Sequence, residues 1–365
     1  MTRRRVSPVP LSLSLAGALT VGLTGAATAG AQPEVEPASV PAGSSYVALG
    51  DSFSSGTGTR ASTDSDCYRS PYGYPQLLAD AHGLDLDYQA CSGAVIADVH
   101  ANQLQALGTG TDYVTMTIGG NDLGFASVIT ECALPGWLSN CEGKINEGLT
   151  TLRTEMPARF DTLFGEIGDR APGADVVIGS YPRLFNGEDC NLATFFSGSE
   201  MAQLNAATDE LSSVIQQRTT AAGFRFVDPR PAFMGHAVCD SPEWVNGISW
   251  PIVESYHPNR EGNVGYADVF WPGTSTSSLT MSQLTTDATP DGGMTPAAVV
   301  RAEADSVLEM HLDTAANLEK ARAAGVSPGA IQRHVAQLRS SNPDVVQRGL
   351  DGLAALDARY EAAQG

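Results

Sequence analysis

Short apolar segments occur at residues 46–49, 84–90, 113–118, 176–180 and 224–227, each bounded by turn-forming or polar residues. Segments of this length rich in Val, Ile, Leu and Tyr predict buried strands. Between them apolar positions recur three or four apart, most clearly at 145–167 and 200–222, which predicts helices. Strand and helix in alternation imply βαβ units. The expected fold is therefore α/β, with a parallel sheet of about five strands and helices on both faces. Such sheets bind ligands beyond the carboxyl ends of their strands. Three polar segments fall there: Gly50-Asp51-Ser52, Ser92-Gly93 and Gly119-Gly120-Asn121-Asp122.

The pattern changes after residue 271. Residues 272–294 are rich in Ser, Thr and Gly and read as a linker. Beyond them Thr295-Pro296, Ser327-Pro328 and Asn342-Pro343 each pair a capping residue with proline at a first helical position. Three helices are expected in an extension over 295–365, the first reaching Gly325 and the last about Ala362. Val307, Leu308, Leu312, Leu318, Ile331, Val335, Leu338, Leu350 and Leu353 would supply their buried faces. Packing on the preceding domain or on one another is the simpler account of these helices; a partner-binding module is the alternative.

The amino end has the form of an export signal over 1–31: Arg3, Arg4 and Arg5, an apolar middle at 9–23, then Ala27-Thr28-Ala29. The apolar stretch is short and polar for a bilayer span. A secreted protein without stable membrane insertion is expected, with a poorly ordered leader over 32–43 and a catalytic domain over 44–271. Removing the signal moves the net charge from −20 to −23, since it carries three arginines and no acid. An acidic surface of that size disfavours nucleic acid and anionic bilayers as partners. Six cysteines in an exported chain read as three disulfides, for which 15 pairings exist. None has zinc-ligand spacing, and neither a metal nor a cofactor is expected.

Together with His257-Pro258-Asn259 far downstream, the three polar segments resemble, in order, the four blocks of the GDSL esterase/lipase family, also called SGNH hydrolases. The resemblance spans about Tyr46 to Tyr266 and implies a flavodoxin-like sheet. It implies Ser52 as nucleophile, His257 as base, and an oxyanion hole from the Ser52 and Gly93 N–H groups and the Asn121 amide. It also implies sequential disulfides, Cys67–Cys91, Cys132–Cys141 and Cys190–Cys239. Phe53 stands where the family name has leucine, an exchange of one apolar residue for another. Glu254, rather than aspartate, lies three residues before His257. Some secreted members orient the histidine with a main-chain carbonyl here, so Glu254 is expected to act through its carbonyl, with its carboxylate as the alternative.

The resulting expectation is a monomeric, secreted serine hydrolase that cleaves carboxylic esters through an acyl-enzyme, with acylglycerols and phospholipids as candidate substrates. Acyl transfer or sugar O-deacetylation at the same site is the first alternative, because the acceptor is set by pocket walls that carry no motif. A non-catalytic binding protein fits poorly, since Ser52, Asn121 and His257 are all retained. Asp51 is expected to cap the turn beside Ser52 rather than to act as an acid.

Overall fold

All five apolar segments form strands of one parallel sheet: β1 (Ser45–Gly50), β2 (Asp85–Tyr88), β3 (Tyr113–Thr117), β4 (Asp175–Gly179) and β5 (Arg225–Val227). The computed structural model describes residues 40–271 and 294–364. The expected export signal, the leader up to residue 39 and the linker over 272–293 lie outside them. Strand order is β2-β1-β3-β4-β5. The chain thus steps one way from β1 and returns to the other side with β3, leaving a crevice at the carboxyl ends of those two strands. β3 is buried along its whole length and β1 at all but its first residue; the two polar residues of β3, Thr115 and Thr117, hydrogen-bond through their hydroxyls to Tyr46 and to Ser54 and Asp51. The edge strands are more polar. On β5 the Arg225 guanidinium donates at 2.9 and 2.7 Å to the two oxygens of Asp175 on β4.

Around the sheet lie α1 (Ser52–Ser55), α2 (Tyr74–His82), α3 (Ile96–Asn102), α4 (Phe125–Cys132), α5 (Cys141–Thr154), α6 (Met156–Arg170), α7 (Gly198–Ala221) and α8 (Arg260–Phe270). One helix was expected over 145–167; two are found, broken at Glu155. Pro157 supplies the reason, since it has no N–H for an interior helix bond and disfavours helical backbone before it. The three disulfides join Cys67 to Cys91, Cys132 to Cys141 and Cys190 to Cys239.

The extension contains four helices among the described residues: α9 (Pro296–Glu309), α10 (Ala315–Ala323), α11 (Pro328–Leu338) and α12 (Pro343–Gln364). The single helix expected up to Gly325 is interrupted because Thr314 caps a new one, its side chain accepting from the Asn317 N–H. Val307, Leu312, Ile331, Val335, Leu338, Leu350 and Leu353 are buried in one cluster with Trp137, Ala193 and Phe195. The Gly136 N–H donates to the Asp357 carboxylate at 2.8 Å. The extension is therefore docked on the sheet domain rather than only on itself.

Candidate active site

Gly50 ends β1 with φ at +120°, and a Cβ there would lie 2.3 Å from the Thr117 carbonyl oxygen and 2.6 Å from Ser54 Oγ. Only glycine allows β1 to approach β3 so closely while turning into α1. Buried Gln103 holds the turn, accepting from the Gly50 N–H at 2.7 Å and donating to its carbonyl at 2.9 Å. Asp51 caps α1. Its carboxylate accepts from the Phe53 N–H at 3.0 Å, the Thr117 hydroxyl at 2.9 Å and the Tyr181 hydroxyl at 2.5 Å. Tyr181 in turn accepts from the Gly120 N–H at 3.1 Å. Burial pushes the Asp51 carboxyl up to about 6, against the lowering effect of these bonds. One carboxylate thus ties together the ends of β1, β3 and β4, and it is fully engaged in that task.

Ser52 is the first residue of α1, where a backbone N–H has no partner within the helix. Its Oγ lies 2.8 Å from His257 Nε2, although 205 positions separate them. His257 Nδ1 lies 2.8 Å from the carbonyl oxygen of Ser255. A carbonyl can only accept, so Nδ1 carries the proton and Nε2 is left to accept from the Ser52 hydroxyl. Burial depresses the imidazole to about 4, partly opposed by the Ser255 bond. At neutral pH the ring is therefore uncharged and able to take a proton.

The expectation for Glu254 needs correcting in both of its forms. Its carboxylate accepts from the Gly58 N–H at 2.5 Å and the Arg60 N–H at 3.2 Å, and its carbonyl accepts from the Asn246 amide at 3.1 Å. The carbonyl that meets His257 belongs to the next residue, Ser255. Tyr256, at φ +59°, makes the sharp turn that brings it there. A non-glycine residue in left-handed backbone persists only where its surroundings enforce it. Here Asn246 does so: its N–H donates to the His257 carbonyl at 2.9 Å and its carbonyl accepts from the Tyr256 N–H at 3.0 Å. The Asn246 side chain also donates to the Gly58 carbonyl at 2.8 Å. Gly58 has φ +105°, and a Cβ on it would sit 2.8 Å from the His257 Cβ. The sequence reading missed Gln103, Gly58 and Asn246. Only Gly58 left a signal, as the last glycine of Gly-Asp-Ser-Phe-Ser-Ser-Gly-Thr-Gly.

Gly93 and Asn121 line the same cleft as Ser52 and His257. Gly93 has φ +81°, and open space lies where its side chain would stand. The Asn121 amide donates to the Ala94 carbonyl at 3.1 Å, which orients it and couples the loops after β2 and β3. Asp122 accepts from the Ile96 N–H at 3.0 Å and from Arg159 at 3.2 Å, bracing the same region from outside. The Cys67–Cys91 bridge sits two residues before Gly93, and the Ser92 N–H donates to the Cys67 carbonyl at 3.0 Å. Other histidines are occupied elsewhere: His82 stacks on Trp271, His236 on Trp244, and His100 faces Glu166.

Two hollows reach Ser52. A narrow one, about 50 Å³, runs past Phe53, Phe125, Tyr181, Leu184 and Leu211. It shares Phe125, Leu184 and Leu211 with an apolar hollow of about 90 Å³ between α4, α5 and α7. The other is a wide cleft of about 730 Å³ that holds His257, Gly93 and Asn121.

Comparison with known proteins identifies the family. A family model described as GDSL-like Lipase/Acylhydrolase matches residues 48–264. Lipase 1 of Streptomyces coelicolor is 40% identical over 72% of this chain and 96% of its own. The extracellular lipase of Streptomyces rimosus has a crystal structure with TM-score 0.59 and 40% identity, covering 62% of this chain and 97% of that one. Phospholipase A1 of Streptomyces albidoflavus NA297 superposes with the same TM-score at 38% identity, over 62% of this chain and 98% of its own. With Ser52 on the turn after β1, His257 against it and a family match that spans most of the sheet domain, the chain belongs to the GDSL-like lipase/acylhydrolase family.

Proposed function

We propose that this carboxylic ester hydrolase works through an acyl-enzyme on Ser52, with His257 as general base and then general acid. The observation that carries the reading is the 2.8 Å approach of Ser52 Oγ to an uncharged, carbonyl-oriented imidazole. In the first step Nε2 takes the hydroxyl proton as Oγ attacks the ester carbon. The imidazolium then returns that proton to the departing alcohol oxygen. Negative charge on the former carbonyl oxygen is met by the Ser52 and Gly93 N–H groups and the Asn121 amide. Water repeats the sequence to release the acid. The Ser255 carbonyl takes the orienting place that a carboxylate fills in serine proteases.

The leaving alcohol must lie near His257 to receive its proton. His257 lines the wide cleft and is absent from the walls of the narrow hollow. The alcohol therefore belongs in the wide cleft and the acyl chain in the narrow one. The apolar continuation of the narrow hollow suits an acyl chain of lipid type, in keeping with the lipase and phospholipase A1 names of the similar proteins. Three disulfides and similarity to an extracellular lipase support secretion after removal of residues 1–31, with the sheet domain over 44–271 and a linker before the extension.

A pH profile tests the role of the histidine. Protonated His257 cannot accept from Ser52, so kcat/KM for an uncharged ester should fall as pH drops and halve near about 4. An inflection at 6.5, the ordinary value of a solvated imidazole, would contradict the buried, neutral base. Glu254→Gln separates the loop role of that residue from a catalytic one. Its amide oxygen can still accept from the Gly58 N–H, so kcat is expected to stay within about threefold of the parent. A loss of several hundredfold would restore the carboxylate to the catalytic group.

A further inference from the structure

The wide cleft is not closed by the sheet domain alone. Besides α4 and the turn at Ile252 and Val253, it is lined by Ser306, Glu309 and Met310, at the end of α9. The family-model match stops at residue 264, and both Streptomyces crystal structures are covered almost completely while matching 62% of this chain. This wall thus lies beyond the part that the family defines. It is also firmly placed. Met310 and Leu308 pack on the buried cluster that joins Val307, Ile331 and Leu350 to Trp137, Ala193 and Phe195. Ile248, which lines the cleft, touches that same cluster. At the far end of the contact, Trp137 and Tyr360 meet edge to face at 6.3 Å.

We propose that the end of α9 is a specificity-determining wall for the alcohol portion of the ester, with Met310 setting the bulk admitted and Glu309 disfavouring anionic alcohols. This deepens the Ser52 reading above and rests on it. Met310 is half-buried where it lines the cleft, and its flexible thioether chain can adapt to apolar groups of moderate size. Glu309 is exposed at the rim and places a carboxylate beside whatever the alcohol carries. A negative group there would meet repulsion that added salt screens. Neither residue lines the narrow hollow assigned to the acyl chain.

The test uses the full chain and two ester series: butyrates of alcohols from ethanol to a branched or aromatic alcohol, and ethyl esters of graded acyl length. Met310→Trp is expected to lower kcat/KM for the bulkiest butyrate, relative to ethyl butyrate, by tenfold or more, and Met310→Ala to raise that ratio by threefold or more. The acyl-length profile should keep its shape in both. Glu309→Lys should raise kcat/KM for a butyrate whose alcohol carries a carboxylate, relative to an uncharged one, by about fivefold, an effect that shrinks in high salt. Unchanged alcohol ratios in two variants with parental melting temperatures would overturn the proposal, as would a shift in the acyl profile instead. Failure of the Ser52 reading looks different: the parent chain would hydrolyse ethyl butyrate no better than its Ser52→Ala variant.

Discussion

Ser52→Ala is expected to lower kcat/KM on any ester by about 10⁴-fold or more, with the fold intact. The size follows from the chemistry, since among the described residues Ser52 alone places a hydroxyl at His257 Nε2, and without it the nucleophilic route is lost outright. What remains is the modest acceleration from binding and from the oxyanion donors. The structural cost is small. The Ser52 side chain bonds to His257, while the turn itself is held through backbone: the Ser52 carbonyl accepts from the Thr57 N–H at 3.1 Å and the Ser55 hydroxyl at 3.2 Å. Asp51, Gln103 and Gly50 are untouched. A melting temperature near the parent's, beside a collapse in rate, would show that the loss is chemical. Residual hydrolysis within tenfold of the parent would remove Ser52 from the reaction.

Asn121→Ala should cost about 10²–10³ in kcat with KM within about threefold. The amide side chain is held by its bond to the Ala94 carbonyl, so its aim does not depend on a substrate being present. Charge appears on the ester oxygen only as Oγ attacks, and a donor fixed beforehand favours that state over the bound ester. A rise in KM with unchanged kcat would instead make Asn121 a ground-state binding residue.

Much of this arrangement is written in short stretches of chain. β1 and β3 are legible because strands buried on both faces carry few polar residues, only Thr115 and Thr117 on β3, and Ser52 and Asn121 stand shortly beyond them. Gly93 and His257 needed the family resemblance, since neither Ser-Gly nor His-Pro-Asn carries meaning alone. The partner of His257 was misplaced by one residue for a definite reason. Its identity depends on left-handed backbone at Tyr256, enforced by Asn246 ten positions earlier, and local propensity gives no sign of that. Gln103 is invisible in the same way, because its two bonds to Gly50 span 53 positions. The helix breaks at Glu155 and before Thr314 were readable, from Pro157 and from the threonine cap, but the apolar periodicity running across them masked both. Proximity of the extension to the cleft could not be read at all. Amphipathic helices announce that they have a buried face and say nothing of where it docks.

Covalent trapping of the nucleophile is the most direct measurement. After treatment with a serine-directed fluorophosphonate, peptide mapping should find one adduct, on Ser52, with ester hydrolysis lost in proportion to labelling. An adduct on a different serine, or full hydrolysis by protein completely labelled at Ser52, would contradict the account.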